Sequence, residues 1–356
     1  MANIIEANSC VQPPTKAFNF GGRFFERIRK NQEGENNMKR ETFFKLLGIL
    51  GLAALVVITS PRTTTDEVKR IGILQLAEHL SLDAAREGFI SRLEELGYID
   101  GENIQINYFN AQGDQSNLRI MSQQLVSQQS DLVLAIATSA AQAIANETST
   151  IPILTSAVTS LETANLVESN ERPNTNVSGT SDMPPIEAQL NLLRQLAPNA
   201  QTIGFIYNTS EPNSQLQVEI AEAIAIELGF IPHHMSVTST NDVAQNMLAL
   251  ATRVDVMYIP TDNTMSSASA TVGNIARQHN IPIVTGSVGM MREGGLATIG
   301  IDYFELGQQT ADMAVRVFNG EDISTMPVEF STQMDLFINE EMAEAIGIQI
   351  PASLRD

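Results

Sequence analysis

Cysteine occurs once in this chain, at Cys10, and lysine does not occur after Lys69. The first shortage removes a disulfide framework, a cysteine-based metal site and a thiol nucleophile from the body of the chain. It suits a protein outside the cytoplasm that builds a large core and needs no covalent staples. The second shortage leaves residues 69–356 with 12 basic and 34 acidic residues, a balance of −22. Such a surface repels phosphate backbones, which argues against a nucleic-acid partner, and it favours solubility. Catalytic signatures are missing too. There is no Gly-x-Gly-x-x-Gly, no Walker A sequence and no Gly-x-Ser-x-Gly elbow. His233 and His234 are adjacent, so in a strand they point to opposite faces, and no His or Cys partner lies close in sequence. Acids and hydroxyls abound, but no activated nucleophile stands beside a base. The expectation is a binding protein rather than an enzyme, without metal or cofactor.

What is present is a long internal repeat. Glu95-Leu96-Gly97-Tyr98-Ile99 returns as Glu227-Leu228-Gly229-Phe230-Ile231, and Asp131–Thr138 returns as Asp255–Thr261. Ile151-Pro152-Ile153 returns as Ile281-Pro282-Ile283. The spacing far exceeds the roughly 20–50 residues of a solenoid unit. It predicts two similar lobes and a cleft between them, where small ligands bind.

Ahead of the repeat, Lys39-Arg40 precedes an apolar run from Leu46 to Ile58. That pattern predicts an export signal, too short for an ordinary membrane span. No cysteine follows it, and Thr59-Ser60-Pro61 is a poor cleavage site. The expected location is the outer face of the cell membrane, with the segment either kept as an anchor or cleaved. Met38 is the expected start, with residues 1–37 an artefact of gene calling.

From Lys69 short β-branched runs alternate with helical ones, which predicts βαβ units and a mostly parallel sheet in each lobe. Expected helices include 83–96, 115–129, 140–147, 214–228, 242–251, 267–279 and 305–318, with a strand pair and a short helix closing the chain. The predicted division is 1–68 upstream, 69–180 with 302–325 as lobe 1, and 181–301 with 326–356 as lobe 2. The third crossover is expected near Ile323–Val328.

In open α/β sheets ligands sit beyond the carboxyl ends of strands. Those ends hold Gln75, Thr138 and Ser139, Val158 and Thr159, Asn208, Glu211 and Asn213, Asp262 and Asn263, and Asp302. Thr138-Ser139 opens a predicted helix, whose free N–H groups suit a carboxylate. Asp262 holds the matching place in the other lobe and suits an ammonium. Each also fits a simple helix cap. Hydroxyls on one side and a carboxylate on the other describe the two ends of a zwitterion.

Ile71–His79, followed by Leu82–Phe89, resembles the opening of the ABC-transporter substrate-binding proteins. Ala137–Gln142, Gly179-Thr180-Ser181-Asp182, Tyr207–Ser214, Pro260–Asn263 and Gly300–Tyr303 match in the same order, over about residues 69–352. Within that family the likeness is to tryptophan-binding components of Gram-positive aromatic amino-acid importers. The resemblance implies a periplasmic-binding-protein-like type I fold with two Rossmann-like lobes and a hinge of three crossovers. It implies a monomer that binds a free amino acid, tryptophan first, and delivers it to an ABC permease. Many relatives use a lipidated cysteine, whereas Cys10 lies upstream of the apolar run. Transcription regulators share the fold, but the place of their helix-turn-helix is taken here by the export-like segment. A sensor module presenting a small molecule to a membrane receptor is the alternative left open.

Overall fold

The computed structural model describes residues 68–331 and 333–355. The expectations for the export segment, the start at Met38 and Cys10 lie outside these residues.

The chain alternates strand and helix from its first described element. It runs through β1 (Lys69–Gln75), α1 (Leu80–Glu95), β2 (Ile104–Asn110), α2 (Gln115–Ser127), β3 (Leu132–Ile136), α3 (Thr138–Ala145), β4 (Ile153–Val158) and β5 (Val177–Ser181). The second half repeats the scheme after α4 (Ile186–Leu196). It continues with β6 (Thr202–Asn208), α5 (Pro212–Glu227), β7 (Ile231–Val237), α6 (Thr240–Ala251) and β8 (Val256–Ile259). Then come α7 (Asn263–Ser267), α8 (Ser269–His279), β9 (Ile283–Thr285), α9 (Val288–Glu293) and β10 (Ala297–Gly300). The chain closes with α10 (Tyr303–Phe318), β11 (Glu329–Phe330), β12 (Asp335–Ile338) and α11 (Glu340–Ile346).

Two sheets result, ordered β11-β5-β4-β3-β1-β2 and β12-β10-β9-β8-β6-β7. Apart from the last strand of each, the second order is the first with every number raised by five. The sequence repeat is therefore a topological one. Its first segment closes α1 and α5, and the other two enter the central strands of each sheet. Every residue of β3 and β4 is buried, as expected for parallel strands covered on both faces.

Each lobe has its own core. In lobe 1, Ile71, Phe89 and Leu134 pack with Met313 and Met326; in lobe 2, Phe205, Met247 and Tyr258 pack with Met342. Helices α1 and α10 meet at two glycines. A Cβ on Gly88 would lie 2.0 Å from the Phe304 carbonyl oxygen, and one on Gly307 would lie 2.0 Å from that of Ala85. The helix backbones touch there because neither residue has a side chain.

Three details differ from the sequence reading. The third crossover is not at 323–328. Met326 and Val328 are buried in the lobe 1 core, Ser178 Oγ donates to the Met326 carbonyl, and β11 pairs parallel with β5. The crossing lies between β11, which ends at Phe330, and β12, which begins at Asp335. The two closing strands accordingly do not pair with each other; β12 runs antiparallel against β10 in the other lobe. The helix expected over 267–279 starts at Ser269 as α8, and a separate short helix, α7, capped by Asp262, precedes it with a turn at Ala268 between them.

Candidate ligand site between the lobes

The lobes meet in a closed arrangement. Gln217 of α5 donates from Nε2 to Thr159 Oγ1 of lobe 1 at 2.9 Å, and accepts from Thr261 N at 2.9 Å. His79, ahead of α1, faces Asn263 Oδ1 of lobe 2 at 3.1 Å through Nε2. The Asn263 amide nitrogen is committed to Glu211, so its oxygen accepts and His79 Nε2 carries the hydrogen. Burial lowers the His79 pKa, which keeps the ring neutral.

Between the lobes lies a narrow cavity, partly open to solvent. Lobe 1 contributes His79, Ser81, Leu82 and Ala157; lobe 2 contributes Asn213, Thr261, Asn263, Ser266 and Ser287. Asp182 and Tyr303 complete the lining, one just after β5 and the other at the start of α10. They stand at the first and second crossovers.

Asp182 is the carboxylate of this cavity. It is 5% exposed. Thr159 Oγ1 donates to its Oδ1 at 3.1 Å, and the Tyr303 hydroxyl donates to its Oδ2 at 2.8 Å. Burial raises its pKa, while these two hydrogen bonds and its own backbone N–H oppose the rise. Burial and the adjacent Asp182 carboxylate push the Tyr303 hydroxyl well above its ordinary value, so it stays a donor.

Two buried polar atoms of the lining have no partner, Asn213 Oδ1 and Ser81 Oγ. The Asn213 amide nitrogen is spent on the Thr261 carbonyl at 2.7 Å, which leaves its oxygen as a free acceptor. Ser81 lies in the first turn of the 16-residue α1, whose cap residue His79 makes no side-chain capping bond. The amino end of α1 therefore offers free N–H groups and the positive end of the helix dipole. Ala157 completes the floor at a register break between β4 and β5, with φ 57°. A non-glycine residue there costs about 1–3 kcal/mol, the kind of strain that concentrates at binding sites.

Of the residues singled out by sequence, the structure brings Asn213 and Asn263 into the lining and Thr159 directly behind it. Asn208 and Glu211 line a wider polar recess at the same interlobe face. Glu211 is held by Asn263 and Thr264 through their backbone N–H groups and side chains. Thr138 edges a small neighbouring hollow with Asn213, and its hydroxyl is unpartnered. Ser139 and Val158 are buried away from the cavity.

Three placements correct the sequence reading. Gln75 is occupied within its own lobe, by the Ala77 carbonyl, Asp83, Arg86 and Tyr108. Asp262 is fully buried and takes Asn208 N–H at 2.6 Å and Met265 N–H at 2.8 Å, so both oxygens serve the backbone. Asp302 is exposed and caps α10, accepting from Phe304 N and Glu305 N. The capping reading holds for both aspartates.

The residues missed had signals of their own. Asp182 follows a strand, within the Gly179-Thr180-Ser181-Asp182 motif, and a census of strand ends that included β5 finds it. Tyr303 shares the end of β10 with Asp302, within the Gly300–Tyr303 match, and it is the tyrosine rather than the aspartate that reaches the cavity. Ser81 was missed because α1 begins three residues before Asp83.

Known proteins resemble this arrangement. The chain matches the family described as ABC transporter substrate binding protein over residues 70–355. A protein of Clostridioides difficile named tyrosine-binding protein is 38% identical over 314 residues, covering 85% of this chain and 91% of the relative. A Streptococcus pneumonia domain solved in complex with L-Trp is 38% identical, with TM-score 0.78 over 81% of this chain and 97% of the other. A Clostridium difficile substrate binding protein with adhesive properties, solved ligand-free and open, is 44% identical over 80% of this chain and 97% of its own. Its TM-score is only 0.62. The more identical relative, solved open and ligand-free, superposes less well than the L-Trp complex. The fold is the two-lobed periplasmic-binding-protein type I architecture, and this chain belongs to the ABC transporter substrate-binding protein family.

Proposed function

We propose that the protein binds a free aromatic amino acid, tryptophan or tyrosine, between its lobes and delivers it to the permease of an ABC importer outside the cytoplasmic membrane. The observation that carries the ligand class is the cavity's division of polar groups. Asp182 and the unpartnered Asn213 Oδ1 provide acceptors for an ammonium in one cavity. Ser81 Oγ and the free amides of α1 provide donors for a carboxylate, with no cation in the lining to bind a larger anion. Leu82, Ala157 and the Tyr303 ring supply apolar surface for a side chain. Charge-assisted bonds in such a dry cleft are stronger than at the surface.

The relatives named for tyrosine and solved with L-Trp favour the aromatic class. The basic pair Lys39-Arg40 and the apolar run to Ile58 favour export. Membership of a family of substrate-binding proteins favours carriage over turnover. The test is a thermal-shift screen of the natural amino acids, followed by calorimetry on the hits. A true ligand at 100 times its Kd adds about 2.7 kcal/mol of stability. Absence of any shift with tryptophan, tyrosine or phenylalanine would remove the ligand assignment.

A further inference from the structure

Four side chains far apart in sequence form one directed hydrogen-bond chain that ends on the cavity carboxylate. Gln217 Nε2 of lobe 2 donates to Thr159 Oγ1 of lobe 1 at 2.9 Å. Because that contact fills an acceptor site on the Thr159 oxygen, the hydroxyl hydrogen is turned onto Asp182 Oδ1, 3.1 Å away. From the other side Tyr303 donates to Asp182 Oδ2 at 2.8 Å. Asp182 stands where the chain first leaves lobe 1, and Tyr303 where it first returns. The pair thus ties two hinge crossovers together, and the Gln217–Thr159 link spans the cleft.

We propose, resting on the amino-acid reading above, that Tyr303 and Thr159 are positioning residues for Asp182. Through them lobe closure orients the carboxylate that selects ligands bearing a cationic amino group. An Asp side chain has two rotatable bonds. With one donor on each oxygen, its carboxylate plane is fixed, and each oxygen keeps acceptor capacity in a cavity that Asn213, with its unpartnered Oδ1, also lines. Two neutral donors also stabilise the ionised form in a buried place, without introducing a cation to compete with the ligand's own. The other titratable side chains lining this cavity are His79, which is held neutral, and Tyr303, which keeps its proton.

The test uses the full chain and two pairs of probes. L-tryptophan is compared with 3-indolepropionate, and L-tyrosine with 3-(4-hydroxyphenyl)propionate, which lacks only the amino group. Tyr303→Phe removes one hydroxyl and keeps the ring; Thr159→Val does the same for the second donor at constant shape. Each variant is expected to cut the preference for the amino acid over its des-amino partner at least tenfold. In Tyr303→Phe the acid limb of the affinity profile should also move to higher pH, since the ionised carboxylate has lost a donor. A purely structural role would weaken both members of a pair alike and leave the acid limb in place, and that result overturns the inference. If the parent binds the amino acids but the variants keep its preference, the inference alone falls. If the parent binds none of them, the ligand reading falls first and takes the inference with it.

Discussion

Gly289 of α9 stands against Ser81 of α1 with no room for a side chain, since a Cβ there would lie 2.5 Å from Ser81 Oγ and 3.1 Å from its backbone nitrogen. The two residues belong to different lobes, and one of them lines the cavity. Closure therefore depends on a bare backbone at position 289.

Gly289→Val should leave both lobes folded and hold them apart. Ligand binding that relies on contacts with both lobes then loses its closed state. The expected result is an affinity loss of tenfold or more, with small-angle scattering showing the same radius with and without ligand. The parent protein should contract on binding.

Asp182→Asn and Asp262→Ala should separate recognition from architecture. The first keeps shape and removes the charge facing the ligand, so affinity should fall by about 2–5 kcal/mol, or roughly 30- to 5000-fold by calorimetry. The second strips the cap from α7 and leaves Asn208 N–H buried without a partner. Its cost should appear as about 1–3 kcal/mol in the stability of the ligand-free protein by urea denaturation. The preference for an amino acid over its des-amino analogue should survive Asp262→Ala.

Affinity should fall on acidification in two stages of known sign. His79 has a pKa below 6.5 in the closed cleft because burial disfavours its charged form. Protonation therefore favours opening, and affinity drops as pH falls through the ordinary histidine range. Asp182 has its pKa raised above 3.8 by burial when no ligand is bound, and an ammonium pulls it down again. That contribution is complete above the raised value and is lost as pH falls through it. His79→Gln should erase the upper stage and Asp182→Asn the lower, in titrations followed by calorimetry.

Gly307→Ala tests the helix pair that seats the second crossover. The new methyl meets the Ala85 carbonyl at 2.0 Å and a backbone nitrogen, that of Phe89, at 2.9 Å. Neither is the end of a flexible side chain, so the cost should reach or exceed the roughly 3 kcal/mol typical of severe overpacking. Urea denaturation should show it without any change of ligand preference at low temperature.

Much of this was legible in the residues. The repeat of Asp131–Thr138 in Asp255–Thr261 foretold two equal sheets, because central parallel strands are apolar throughout and leave a recognisable pattern. Helix caps were less tractable. Asp262, Asp302 and Asp182 all follow strands near conspicuous motifs, and only three-dimensional placement tells a carboxylate that serves its own backbone from one that faces a cleft. The strand β11 escaped notice because two residues carry no period, and its allegiance depends on contacts made with β5, nearly 150 residues earlier in the chain.

Strand β11 and helix α10 also order events in time. A chain emerging amino terminus first, from a ribosome or a membrane channel, presents β1 to β5 long before the pieces that finish their lobe. Until Tyr303–Phe318 arrives, Gly88 and Phe89 on α1 have no helix to meet, and until Glu329–Phe330 follows, the outer edge of β5 has no neighbour. The second lobe must wait further, for Asp335–Ile338. Contacts so distant in sequence close slowly, and an uncovered strand edge is a hazard while it waits. The first lobe therefore cannot mature before Phe330 is delivered, nor the second before Ile338.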